Sequence, residues 1–303
     1  MSAAAEHDSA RDARTPLTEV GPQSGRTAMI AGAVGIIWKR EMLRWWRDKP
    51  RIISSTAFPL IFLLVFGSGL SGAMGSLIGG GAQAVNFEQF IFPGIIAMSV
   101  FFAALFNAVS LVYDREFGIL KEMLVAPVSR AAVAFGKTLG GATVATLQGT
   151  VVFAFAPLVG VRLSPLLVLQ LWPIMFLGAF ALSSMGVAMA ARMRSIESFQ
   201  MINQFVMFPL IFLSGIFFPL QGLPAWMNVL VRINPVSYAV DPLRRLTLEA
   251  QGLPDTVMDR LSESGVALSI GGQQISVALA IGIIAGFGVV MNVLAMWLIS
   301  IRD

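Results

Sequence analysis

Residues 89–113 read QFIFPGIIAMSVFFAALFNAVSLVY, a stretch without a single Asp, Glu, Lys or Arg. A helix needs roughly 20 residues to cross hydrocarbon, because in lipid every backbone amide must find its partner within its own helix. Uncharged windows of comparable length recur at 52–87, 138–161, 163–191, 198–231 and 264–301. They predict six transmembrane helices, near 52–71, 90–112, 139–160, 167–190, 199–218 and 277–300. Composition agrees: of 303 residues, 56% are apolar and 13% charged, with mean hydropathy +0.77, against about 45 to 50% apolar and about 25% charged in soluble domains. Six buried core helices would need a larger polar shell than this chain supplies. A soluble globular enzyme is excluded, and the expected fold is an all-α membrane protein.

Orientation follows from the basic residues. With the N-terminus cytoplasmic, sixteen of the 21 Lys and Arg residues fall inside, including Lys39, Arg40, Arg44, Arg47, Arg115, Lys121, Arg130 and Lys137. Arg162, Arg232, Arg244, Arg245 and Arg260 fall outside. The positive-inside rule then predicts a multi-pass protein of the plasma (inner) membrane with both termini cytoplasmic. Read as topology determinants facing anionic lipid, the basic residues call for no nucleic acid despite the net charge of +4. Residues 1–27, with interspersed acids, Pro and Gly, read as a disordered cytoplasmic tail. The apolar run 28–38 leads into Lys39-Arg40-Glu41 rather than a small-residue cleavage site, so no cleaved signal is expected. Across 36–49, Trp38, Met42, Trp45 and Trp46 share one side of a helix and Arg40, Arg44, Arg47 and Asp48 the other. That pattern predicts an interfacial helix on the inner leaflet, separated from the first span by Pro50.

Several motifs suggest chemistry that their surroundings deny. Gly67-Ser68-Gly69-Leu70-Ser71-Gly72 satisfies the dinucleotide-binding pattern but lacks a βαβ context, and is expected to form a flexible outer turn. Gly136-Lys137-Thr138 ends like a phosphate-binding loop, yet Ala131 stands where the first glycine belongs, so the chain has no ATP site of its own. With no Cys and one His in the tail, metal sites and general acid/base chemistry lack their usual parts, and no catalytic or metal residues are assigned. The span centres hold no ionisable residue, which argues against a proton-coupled carrier. Neutral polar residues do occur there. Asn107, Gln148, Asn203 and Gln204, with Ser110, Thr143, Thr146, Ser183, Ser184 and Asn292, could line a substrate path or simply hydrogen-bond neighbouring helices. Gly136/Gly140 and Gly282/Gly286 are small-residue pairs suited to close helix packing.

The loop between the second and third spans carries most information. Its sequence from Asp114 to Arg130 is DREFGILKEMLVAPVSR. Phe117, Leu120 and Leu124 recur at i, i+3 and i+7, Pro127 stops the helix, and the result is a short amphipathic knob whose exposed stripe needs a partner. The segment resembles the first intracellular coupling loop of type 2 ATP-binding-cassette (ABC) exporter permeases, which run Arg-Glu-Phe-Gly, Leu-Leu-Val, then Pro-Val-Ser-Arg. A second block is similar to that family's fifth span and re-entrant outer helical hairpin: Leu213-Ser214-Gly215-Ile216-Phe217-Phe218-Pro219, then Asn234-Pro235-Val236-Ser237-Tyr238-Ala239-Val240-Asp241. The likeness covers about 36 to 302.

This resemblance implies a transmembrane domain over 28–303: six transmembrane helices, an N-terminal interfacial helix, a cytoplasmic coupling helix and the outer hairpin. It also implies a second permease copy, in a homodimer, and cytoplasmic ABC ATPase subunits that bind ATP and Mg, with no cofactor on this chain. Arg115, Glu116, Phe117, Gly118, Leu120 and Leu124 would contact the ATPase, and Asn234, Pro235, Tyr238 and Asp241 would shape the hairpin. On the residues themselves, Asp241 can pair with Arg244 or Arg245. The scarcity of buried charge and the wealth of Met, Phe and neutral amides favour export of a hydrophobic or amphipathic compound, such as an antibiotic. Export of lipid or lipid-linked polysaccharide, or a non-transporting anchor or sensor subunit, are the alternatives.

Overall fold

The computed structural model describes residues 24–78, 87–118, 129–162, 164–217, 223–252, 268–270 and 273–301. Helix α1 (Ser24–Arg47) starts well before the expected 36–49 and takes the end of the expected 1–27 tail into helix. Residues 1–23 lie outside the described residues. The chain breaks at Asp48 and resumes as α2 (Lys49–Ile78), with Pro50 in the first turn, where its missing N–H costs no hydrogen bond. The backbone stays helical through Gly67–Gly72, so the outer turn expected there does not form. In lipid an intact helix satisfies its own amides, and that outweighs the local cost of glycine.

α3 (Phe87–Asn107) and α4 (Val109–Glu116) are separated only by a turn at Ala108. Together they make a 30-residue apolar segment, roughly 45 Å long at 1.5 Å per residue. Among the described residues four segments are long and apolar enough to cross a membrane: Lys49–Gly69, Phe87–Glu116, Pro165–Ala190 and Val277–Ile301.

The other two expected spans are helical with different limits. α5 (Arg130–Phe153) begins at a Ser129 cap and ends before the expected 160. Pro157 cannot donate to an α ladder, and the chain runs through a 3-10 turn (Ala156–Val159) that Gly160 closes at φ 73°. α6 (Pro165–Ala190) starts with Pro165 behind a Ser164 cap. α7 (Ile196–Phe212) stops short of the expected 218, followed by Gly215 at φ 78°.

Two shorter helices follow, α8 (Ala225–Ile233) and α9 (Pro235–Glu249). A two-residue ladder comes next, in which β1 (Ser269–Ile270) pairs antiparallel with β2 (Gln273–Gln274), and among the described residues the fold is otherwise helical. α10 (Val277–Ile301) ends the described chain.

The core centres on α3, whose Phe90, Phe92, Ile95, Ile96, Phe101 and Leu105 are buried against α5, α6 and α9. Glycines set the closest approaches. A Cβ on Gly94 would lie 2.7 Å from the Ile216 carbonyl oxygen, and one on Gly140 would lie 2.8 Å from Glu41 Cβ. The Gly136/Gly140 pair therefore receives α1, as its spacing suggests. Gly282 and Gly286 meet no described atom within 4 Å, so the close packing expected of them is not found. Ile53, Ile61, Leu64 and Val65 of α2 and Met201, Phe205 and Phe208 of α7 are exposed. Apolar faces this extensive suit lipid rather than water.

Candidate functional site

α4 delivers two adjacent charged residues to the loop between α6 and α7. Arg115 Nη1 donates to three carbonyl oxygens that close α6, those of Ala190 (3.2 Å), Ala191 (3.1 Å) and Met193 (2.8 Å). Glu116 Oε2 accepts the backbone N–H of Ile196, the first residue of α7, at 3.1 Å. The cation therefore sits at the negative end of one helix and the anion at the positive end of the next. Both residues, expected to contact the ATPase, tie α4 to the α6–α7 loop within the chain.

Phe117 caps α4, and Gly118 takes φ 77°, a left-handed conformation that suits glycine and ends the helix. Phe117 thus stands at the end of α4. Leu120 and Leu124 lie outside the described residues. Phe117 remains 60% exposed, and its ring lies against that of the exposed Tyr113, 4.3 Å between centroids and tilted by 33°.

Beside this clamp is a charge network that a segment-by-segment reading misses. Glu41 of α1, Asp114 of α4 and Lys137 of α5 are 1%, 0% and 2% exposed. Lys137 Nζ lies 2.7 Å from Glu41 Oε1, 2.6 Å from Asp114 Oδ2 and 2.9 Å from Ser110 Oγ. Arg40 also pairs with Asp114, and Arg44 reaches its other oxygen at 3.6 Å. Arg40, Arg44 and Lys137, counted above as charges facing lipid, are thus engaged with two carboxylates, Glu41 of α1 and Asp114 of α4. Their sequence signal is slight: Glu41 stands four residues from Ile37 on the face that meets Gly136 and Gly140.

At the opposite end of α3, the α8–α9 hairpin latches onto the end of α7. Asn234 caps α9 by accepting the Val236 N–H (3.0 Å) and donates to the Leu210 carbonyl (2.7 Å). Ser237 donates to Leu213 (3.3 Å) and Tyr238 to Arg232 (2.6 Å). Pro235 occupies the first position of α9. Arg244, 1% exposed, donates to the carbonyls of Gly215 and Ile216 (the latter at 3.2 Å) and lies 4.6 Å from the centre of the Phe90 ring. Asp241 pairs with Arg245 at 3.0 Å and accepts the Leu268 N–H at 2.8 Å. Burial pushes the Asp241 carboxyl up from its ordinary range, against the pull of Arg245. Burial also lowers the Arg244 guanidinium to about 10, so it stays charged at neutral pH.

A cleft of about 470 Å³ opens between α2, α3 and α5 near the start of α7, walled by Phe58, Phe102, Phe106 and Val144 with Arg51, Gln148 and Gln200. Gln148 donates to Thr56 Oγ1 at 2.6 Å. Of the other polar residues read from the sequence, Asn107 and Asn203 are buried away from the cleft's lining and Gln204 is exposed. Both amide atoms of Asn203 lack a hydrogen-bond partner among the described residues. Thr143, Thr146 and Ser184 donate to carbonyls of their own helices.

Several helices long and apolar enough to cross a membrane, packed in one bundle, define a multi-pass membrane protein. The chain belongs to the ABC-2 type transporter family, whose pattern matches residues 32–248. It is 28% identical over 211 residues to Nodulation protein J of Rhizobium leguminosarum bv. viciae, covering 69% of this chain and 79% of the relative. It is 27% identical over 218 residues to the inner membrane transport permease YadH of Escherichia coli K12, covering 70% and 81%. It is therefore a transport permease, and the family implies association with an ATPase subunit.

Proposed function

We propose that this permease exports a hydrophobic or amphipathic compound through the plasma membrane, driven by ATP hydrolysis on separate cytoplasmic subunits. The observation that carries this reading is the aromatic-walled cleft. About 470 Å³ lies within the ordinary range of small-molecule sites, and mostly apolar walls with two neutral amides and the Arg51 cation suit a mainly greasy or amphipathic ligand. In this account α2, α3–α4, α5, α6, α7 and α10 are the six spans, the α4 end faces the cytoplasm, and a second copy completes the pathway as a homodimer.

The ATPase seats on Tyr113, Phe117 and the 119–128 segment. Its closure displaces α4, and the Arg115 and Glu116 bonds carry that displacement to α6 and α7. Nucleotide supplies the bias by binding one arrangement better than the other.

The test is ATP-dependent export of a lipophilic fluorescent dye from proteoliposomes holding permease and ATPase. Phe102→Asp, which puts a charge in the cleft wall, should cut export at least tenfold with insertion intact. Unchanged dye export in this variant would overturn the assignment, as would movement of a lipid-linked glycan alone.

A further inference from the structure

We propose that a groove between α1 and α5 seats one anionic phospholipid, with its phosphate at Lys39 and an acyl chain along α5. The groove holds about 600 Å³, walled by Met42, Leu43 and Trp46 of α1 and by Leu147, Val151 and Ala154 of α5. The three α5 residues fall at i, i+4 and i+7, one continuous stripe of a helix.

α1 and α5 run parallel, since Ile37 meets Gly136 and Glu41 meets Gly140. Lys39 therefore stands at the end of the groove nearest the start of α5, and the apolar stripe rises away from it. Cation at one end and greasy wall along the rest is the complement of a phosphodiester joined to an acyl chain.

Charge accounting singles out Lys39. Its neighbours Arg40 and Arg44 are drawn to Asp114 and Glu41, whereas exposed Lys39 has no ion pair among the described residues. The one hydroxyl on the wall is already engaged: Thr150 donates to the Thr146 carbonyl and accepts from Trp172. Exposed Trp46, about two turns further along α1, adds ring surface to the wall on the acyl side. Basic pockets between helices recognise anionic headgroups in this way. The leaflet follows from the orientation proposed above; the site itself does not depend on it.

Native mass spectrometry of the full chain, released from nanodiscs of equal phosphatidylglycerol and phosphatidylcholine, tests this independently of transport. One phosphatidylglycerol should stay bound per chain in preference to phosphatidylcholine. Lys39→Glu should reduce that retention at least tenfold, and Val151→Trp, which fills the groove and keeps the lysine, should do the same. Equal retention of the two lipids by the unaltered protein, or undiminished phosphatidylglycerol in Val151→Trp, would overturn the proposal.

Discussion

Glu116 at the end of α4 holds the backbone N–H of Ile196 at the start of α7. Arg115, one residue earlier, holds the carbonyls that end α6. Two neighbouring side chains of opposite charge thus complement two helix ends of opposite polarity. The segment expected to grip an ATPase is fastened to the next loop of the same chain, and a push on it reaches two further helices.

Arg115→Ala removes the donor to three carbonyls, and hydrogen bonds from a charged group are each worth about 1.5–3 kcal/mol. The variant should melt several degrees lower in detergent and lose transport. Arg115→Lys, which restores a point charge, should recover part of both. Equal melting temperatures for Arg115→Ala and the unaltered protein would contradict the clamp.

Lys137→Met strips the shared cation from two buried carboxylates. Breaking a buried ion pair from one side costs about 3–5 kcal/mol, because the remaining charge stays in a poor solvent. Adding Glu41→Gln should recover part of that loss, so that in a double-mutant cycle read by thermal unfolding the combined loss is smaller than the sum of the single ones. Strictly additive losses would show that the two residues are not partners.

Gly140→Ala places a methyl group 2.8 Å from Glu41 Cβ and Cγ. α1 must move off α5, at about 1–3 kcal/mol of overpacking, and the melting temperature should fall. Gly282→Ala meets no described atom within 4 Å and serves as the matched control. A control that fell as far as Gly140→Ala would refute the packing argument.

Arg244→Met keeps the bulk of the side chain but leaves the Gly215 and Ile216 carbonyls without their donor. Limited proteolysis should then cut between α7 and α8 faster, while Arg245→Met, which sits nearer the surface, should change the rate less. The reverse ranking would mean that Arg245, through Asp241, secures the hairpin instead.

Sequence served best where one physical demand acted alone. Uninterrupted apolar stretches placed α6 and α10 within a few residues of expectation, and Asn234-Pro235 announced the start of α9 through capping. It served worst where demands competed or converged. Gly67–Gly72 reads as a turn by local propensity, but the membrane's requirement for paired amides keeps it helical. Pro157 ends α5 sooner than hydropathy suggests. Glu41, Asp114 and Lys137 come from distant segments, and each, taken singly, looks like a charge at the edge of a span. Only the approach of α1 onto Gly136 and Gly140 brings them together.

The chain has no cysteine, so a single cysteine at Phe117 reports on the coupling face without background. Phe117→Cys should react with a membrane-impermeant maleimide in inside-out vesicles, resist it in right-side-out vesicles, and be shielded when the ATPase subunit binds. Labelling from the outer side, or labelling that the ATPase leaves unchanged, would contradict the account.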